Sequence, residues 1–330
     1  MRSFPFRTVI SLLILACFVT SAWPWGSEGH GAINRVAAGK LPADVPAFMS
    51  QAADQLAYLS SEPDRWRAPS ELALKLSQEP DHFINLERVE GMTLPPDRYS
   101  FYRELESKRE QTPGKPDYLL PDKVGLQPYV VMEVYGRLVV AFREYRHALR
   151  HHHDPEFAES NAIFYAGWLG HYVGDASNPL HTTVHDNGWV GPNPSGYTTA
   201  KTIHWKMEGT FVAANEGRLQ FADLVPATPQ LLADPFQDYL SYLRSSHQYV
   251  EKVYQLEKAG GFEGEGTAES REFIRQRLAA GAQMLRDMWY TAWIQSAKEP
   301  ASSSPPPVSP KPQMHTAPQL GPPTAPQPGR

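Results

Sequence analysis

The sequence predicts a mainly helical single domain with long connecting loops. Segments 30–39, 44–59, 123–150, 155–177, 200–215, 228–257 and 267–297 carry apolar residues at helical spacing. Pro and Gly clusters punctuate them, notably over 111–125 and 186–196. No stretch shows convincing strand alternation over several segments, and no internal repeat of solenoid length is evident.

In chain order, residues 1–22 read as a secretory leader. Arg2 and Arg7 supply a positive start, Val9 to Val19 an apolar stretch too short to span a bilayer, and Thr20-Ser21-Ala22 small residues for cleavage. A competing reading takes Ile14-Leu15-Ala16-Cys17 as a lipidation box, but Leu15 and the bulky Phe18 fit it poorly. Cys17 is the single cysteine of the 330-residue chain, so the mature protein is expected to carry no disulfide and any metal must be held by imidazole and carboxylate. Loss of the leader takes the basic count from 31 to 29 against 36 acids, a formal charge of −7. Such a surface exerts no general pull on nucleic acid but does not exclude it. Residues 23–298 form the expected helical domain. Residues 299–330, dominated by Pro, Ser, Gln and Ala, have almost nothing to bury and read as a disordered tail.

Within the helical domain, the segment 155–177 stands out. Phe164, Tyr165, Ala166, Trp168, Leu169, Tyr172 and Val173 make it apolar nearly all round, which predicts burial. On that segment His171 and Asp175 stand four apart, on one face of a helix. His204 and Glu208 repeat the spacing, and His181 lies between the pairs. An imidazole and an acid four apart are, by themselves, an ordinary solvated pair. Buried, they need partners, and a cation supplies them at once. Upstream are His30 in Trp25-Gly26-Ser27-Glu28-Gly29-His30, Asp64 in Pro63-Asp64-Arg65-Trp66-Arg67, and His82 in Asp81-His82-Phe83-Ile84-Asn85. Each alone has an ordinary structural explanation. His151-His152-His153 ends a long basic helix before Asp154-Pro155, where exposed imidazoles suit a helix C-terminus, and is left outside the site.

In order and approximate spacing, these residues resemble the superfamily of trinuclear-zinc phosphodiesterases, which includes bacterial zinc-dependent phospholipases C and single-strand-specific nucleases. The resemblance covers roughly residues 25–296 and implies a compact all-α fold around three Zn2+ ions. It further implies that Asp64, His82, His171 and Asp175 hold one zinc. The Trp25 backbone and His30 would hold a second, with Asp175 bridging, and His181, His204 and Glu208 the third. In the family the Trp amine is itself a ligand. Cleavage after Ala22 would instead expose Trp23 and leave Pro24 ahead of Trp25, so the second zinc is the least secure.

The chemistry expected of such a site is phosphodiester hydrolysis. Two zinc ions about 3.5–4 Å apart activate water and neutralise phosphoryl charge, giving in-line attack by a zinc-bound hydroxide. Asp64 would orient that hydroxide or accept its proton, and the third zinc would stabilise the departing oxygen. Arg65 and Arg67 are candidates to clamp the phosphate. Two features of the resemblance lean toward a phospholipase C-like activity: the last motif ends in Glu208, resembling the His-x-x-x-Glu of the phospholipases, and Glu28 follows Trp25 by three residues, similar to an acid that in a choline-lipid phospholipase helps bind the headgroup. Others lean toward a nuclease: the Trp-Gly-x-x-Gly-His spacing, Arg67 three residues after Asp64, and Phe83, an aromatic able to stack a base. A third reading, from another class, is a non-catalytic zinc-binding exported protein. The expected partner is thus a phospholipid headgroup or single-stranded nucleic acid, with peripheral membrane contact admitted and no obligate protein partner. The loop 185–197, with Trp189 and Tyr197, is expected to overhang the site.

Overall fold

In the computed structural model residues 25–298 are described; residues 1–22, expected from the sequence to be a leader, and 299–330, expected to be a tail, lie outside them. The described chain is all-α, with no strand among these residues. Its helices are α1 (Gly26–Gly39), α2 (Ala47–Gln51), α3 (Ala53–Leu59), α4 (Glu62–Arg65), α5 (Leu72–Gln78), α6 (Arg98–Gln111) and α7 (Pro121–Val124). They continue as α8 (Gln127–Arg150), α9 (Glu156–Ser177), α10 (Ile203–Trp205), α11 (Val212–Ala214), α12 (Pro235–His247), α13 (Val250–Lys258) and α14 (Ala268–Ser296). No helix among the described residues is long and apolar enough to cross a membrane.

The long helices α8, α9 and α14 pack against one another, and α1 lies between α14 and α3 while also touching α9. The apolar character of α9 is used as its sequence implies: Ala162, Ala166, Leu169, Tyr172 and Val173 are buried in the shared core. Close approach of α1 and α3 depends on glycines of α9 that are three or four residues apart. A Cβ at Gly170 would lie 2.1 Å from Asn34 Oδ1, one at Gly174 2.7 Å from His30 Nδ1, and one at Gly167 2.5 Å from the Leu59 Cβ. The missing side chains therefore let α1 settle onto α9, and His30 with it.

Several boundaries differ from the sequence expectation. The segment 44–59 is broken at Ala52 into α2 and α3, and 228–257 becomes α12 and α13, starting only at Pro235. Asp234 explains that start: its carboxylate accepts from the backbone N–H of Phe236 and Gln237, and Pro235 occupies the first turn, where its missing N–H costs nothing. The segment 200–215 is helical over 203–214 but contains a π-helical stretch, Lys206–Phe211. Helix α6 has no counterpart in the apolar pattern because it buries only Phe101 and Leu105, four apart, beneath an otherwise polar surface. Its start is set by Asp97, which accepts from Ser100 N at 2.9 Å.

Candidate metal centre

Each imidazole and carboxylate of the centre is delivered by a different local device. Helix α9 carries His171 and Asp175 one turn apart, both fully buried, and α1 brings His30 across Gly174. Three short helical turns supply Asp64, His82 and His181: α4, Glu79–His82 and Pro179–Thr182. All three have a proline at the start, Pro63, Pro80 and Pro179, whose fixed φ begins a turn without wasting an N–H. His204 ends up beside Glu208, with Nε2 2.8 Å from Oε1. Glu208 lies in the π-helical stretch, a distortion that recurs at functional sites.

The side chains converge. Asp175 Oδ1 lies 3.3 Å from His30 Nε2 and 3.7 Å from His181 Nε2, and Oδ2 lies 3.3 Å from His171 Nε2. Asp64 Oδ1 lies 3.6 Å from His82 Nε2 and 3.9 Å from His171 Nε2. His181 Nε2 lies 3.5 Å from Glu208 Oε2 and 3.1 Å from His204 Nε2. Among the described residues, three groups bring their ligand atoms within 4.8 Å of one another: His30, Asp64 and His171; His82, His171 and Asp175; and His181, His204 and Glu208.

The outer nitrogens fix the direction of the rings. Nδ1 of His82 meets Gln78 O at 2.8 Å, that of His171 meets Ser60 O at 2.8 Å, that of His181 meets His82 O at 2.7 Å, and that of His204 meets Asp186 O at 3.0 Å. A carbonyl only accepts, so each of these Nδ1 atoms carries the proton; Nε2 of His82 and of His171 then presents a lone pair to the centre, whereas Nε2 of His204 donates to the Glu208 carboxylate. Asn178 donates to Glu208 Oε2 at 2.7 Å, and Gln127 donates to the His82 carbonyl at 2.9 Å, steadying the next layer.

Nε2 of His82 and of His171, Oδ2 of Asp64 and both oxygens of Asp175 are buried without a hydrogen-bond partner. Several such orphans in one place would be costly, since each has lost its water and gained nothing. Nitrogen and oxygen donors without thiolate are a set that suits a zinc-like cation, and the residues fit one. The electrostatics agree. Burial, with Asp175 nearby, pushes the Asp64 carboxyl up to about 8, and burial pushes Asp175 up to about 7. Burial also holds His82 and His171 well below the ordinary imidazole value, in the neutral form a metal requires. In the outer trio burial opposes charge, but the Glu208 carboxylate raises His204 to about 9 and the two histidines hold Glu208 low.

A cleft of about 540 Å³ opens onto this cluster and is lined by His82, His181, His204 and Glu208. Arg67 and Phe83 also line it, whereas Glu28 is exposed on the first turn of α1 and accepts a hydrogen bond from Ser27. Arg67 reaches Asp64 Oδ1 at 3.1 Å, while Arg65 pairs with Glu62 and covers the Tyr58 ring. Trp25 is fully buried with its indole donating to Gly174 O at 2.8 Å, and its carbonyl accepts from Gly29 N at 3.0 Å as the first bond of α1. The residues before Trp25, which decide whether it has a free amine, lie outside those described.

Trp189 and Tyr197 pack with each other and with Tyr254 of α13, and Trp189 stacks on His185 at 4.0 Å, so the loop is held by aromatic contacts within itself and with α13. Sequence reasoning passed over Glu79, Asp122, Lys123, Lys201 and Trp205, which share the cleft wall. It also passed over the carbonyls and amides that orient the rings; carbonyls have no sequence signature, whereas the two amides, Gln127 before Pro128 and Asn178 before Pro179, share a local cue.

No family model matches the chain, and no curated protein matches it. Among solved structures the chain is similar to Clostridium perfringens alpha-toxin isolated from avian strain SWCP. The identity is 15%, the TM-score 0.45, and the match covers 85% of this chain and 68% of that one. A likeness at this level bears on neither activity nor metal content.

Proposed function

We propose that the protein is an exported, zinc-dependent phosphoric-diester hydrolase with phospholipase C-like activity. The observation that carries this reading is the convergence of His82, His171, His181 and His204, each oriented by a backbone carbonyl, on the buried carboxylates of Asp64, Asp175 and Glu208 at the floor of an open cleft. A purely structural metal site closes over its ion, whereas this one faces a cavity with room for a substrate. Export rests on the leader reading of residues 1–22.

Asp64, His82, His171, Asp175 and His30 would hold the inner ions, with Trp25 contributing its backbone if processing frees it, and His181, His204 and Glu208 the outer one. When bound, zinc supplies Lewis acidity toward water and toward the phosphoryl group. The residues do the rest. Arg67, fixed by Asp64, presents its remaining guanidinium N–H groups to a phosphoryl oxygen at the cleft wall. The free Oδ2 of Asp64 accepts the proton of the attacking water as its oxygen bonds to phosphorus. The bond from phosphorus to the lipid alcohol breaks on the opposite side, and the departing oxygen takes up a proton from solvent in the cleft. Water and phosphodiester thus become a phosphomonoester and an alcohol.

The cleft wall favours a lipid headgroup over a polynucleotide. Its cations Arg67, Lys123 and Lys201 share the wall with Glu79, Asp122 and Asp186. Mixed charge suits a zwitterionic headgroup, while the acids repel the successive phosphates of a nucleic acid. The nuclease reading draws its support from Phe83 and Trp205, two aromatic rings in the same wall. Zinc-loaded protein assayed at equal concentration on phosphatidylcholine vesicles and on single-stranded DNA distinguishes the two. Faster release of phosphocholine supports the lipase reading; cleavage of DNA alone overturns it in favour of the nuclease. Zinc content with no hydrolysis of either substrate, or of a chromogenic phosphodiester, leaves a non-catalytic zinc protein.

A further inference from the structure

A second group of imidazoles lies at the C-terminal end of α8, where His147, His151, His152 and His153 are all exposed. The chain leaves that helix through a tight turn: His153 N donates to Ala148 O at 2.9 Å and His152 N to Leu149 O at 3.3 Å. This crossed pair of bonds is the Schellman arrangement, and its pivot residue must adopt a left-handed conformation. Here the pivot is His152, with φ 55°. Glycine is the residue that takes such a position without a steric penalty, so an imidazole there is retained at a cost.

The turn has a consequence for its neighbours. It keeps His151 one helical turn beyond His147, with ring centroids 4.3 Å apart, and turns His153 back to within 6.1 Å of His151. Two rings bonded to one ion at ~2.1 Å have their centroids roughly 4–6 Å apart. The ring pairs of the buried centre have comparable spacings: 4.2 Å for His30 and His171, 4.9 Å for His82 and His171, and 4.8 Å for His181 and His204.

We infer that His147 and His151 form a peripheral site for a borderline divalent transition cation such as Ni2+, Cu2+ or Zn2+. Imidazole nitrogen selects these ions over Mg2+ and Ca2+, which prefer oxygen. Being exposed, the rings are free to turn toward a shared ion. The site exchanges with solvent, unlike the buried centre, and does not depend on the proposed hydrolase activity.

The test uses the full mature chain, loaded with zinc and cleared of excess, and titrated with Ni2+ by calorimetry while bound zinc is monitored. The expected result is saturable uptake of one Ni2+ per chain with no release of zinc. Uptake should weaken at least tenfold in His147→Ala and in His151→Ala, with phosphodiester hydrolysis unchanged. His152→Gly, which relieves the pivot but removes no donor, should keep the uptake and raise the melting temperature; that variant separates ligation from turn stability. Absence of saturable uptake, uptake matched by zinc release, or uptake that survives the His147→Ala/His151→Ala pair would overturn the site.

Discussion

Asp175 sends one oxygen toward His30 and His181 and the other toward His171, each within 3.7 Å, and it is fully buried. A neutral amide of the same shape would keep the packing but remove the charge that would offset the proposed cations. Asp175→Asn is therefore expected to fold, to lose at least one equivalent of zinc, and to lose hydrolysis by three orders of magnitude or more. Metal analysis, circular dichroism and turnover check this together; normal turnover in the folded variant would remove Asp175 from the centre. His171 and Asp175 were legible as a pair because they sit four apart in an apolar segment. What ties them to Asp64 and His82, more than eighty residues upstream, is tertiary packing with no local signature, and only the order of the motifs suggested it. The orienting carbonyls of Ser60, Gln78, His82 and Asp186 were not legible at all, since every residue has one.

At the scale of elements, the centre depends on how closely α1 approaches α9. Gly174→Ala would add a methyl group 2.7 Å from His30 Nδ1 in a fully buried contact. The helices must part or His30 must swing away, so the variant is expected to lose about 1–3 kcal/mol of stability, as overpacked cores do. It should also bind zinc more weakly than the native chain. Denaturant melts and zinc titration check both; unchanged values would mean that the contact is soft. Long apolar helices such as α8, α9 and α14 follow from periodicity, and the break at Ala52 and the π-helical stretch at Lys206–Phe211 do not. Neither contains a proline or a strong cap, so neither has a local cue in the sequence. Helix α6 escaped for the opposite reason, having a good cap in Asp97 but only two buried apolar residues.

For the molecule as a whole, the metal-free fold concentrates titrating groups whose native state holds protons the unfolded chain releases. Burial pushes Asp64 up to about 8 and Asp175 to about 7 from an ordinary 3.8, and moves Asp81 to about 7 despite Arg98. His204, raised by Glu208 against the effect of burial, reaches about 9 from 6.5. With more protons bound in the native state, stability falls as pH rises, and between about 6.5 and 9 these groups act in one direction. The lowered His82 and His171 oppose them only below about 6.5, where the unfolded imidazoles charge. The melting temperature of chelator-treated protein should therefore drop from pH 6.5 to pH 9. Zinc should cancel the drop, because it displaces those protons. A metal-free melting temperature that rises across this window would contradict the assigned environments.

The scattered imidazoles and carboxylates are proposed to share a cluster of divalent ions. Diffraction data collected on either side of the zinc absorption edge, from crystals of the zinc-loaded mature chain, test it most directly. Anomalous peaks are expected between His30, Asp64, His82, His171 and Asp175, with a further peak between His181, His204 and Glu208. A zinc-loaded crystal with no peak in either place would contradict it.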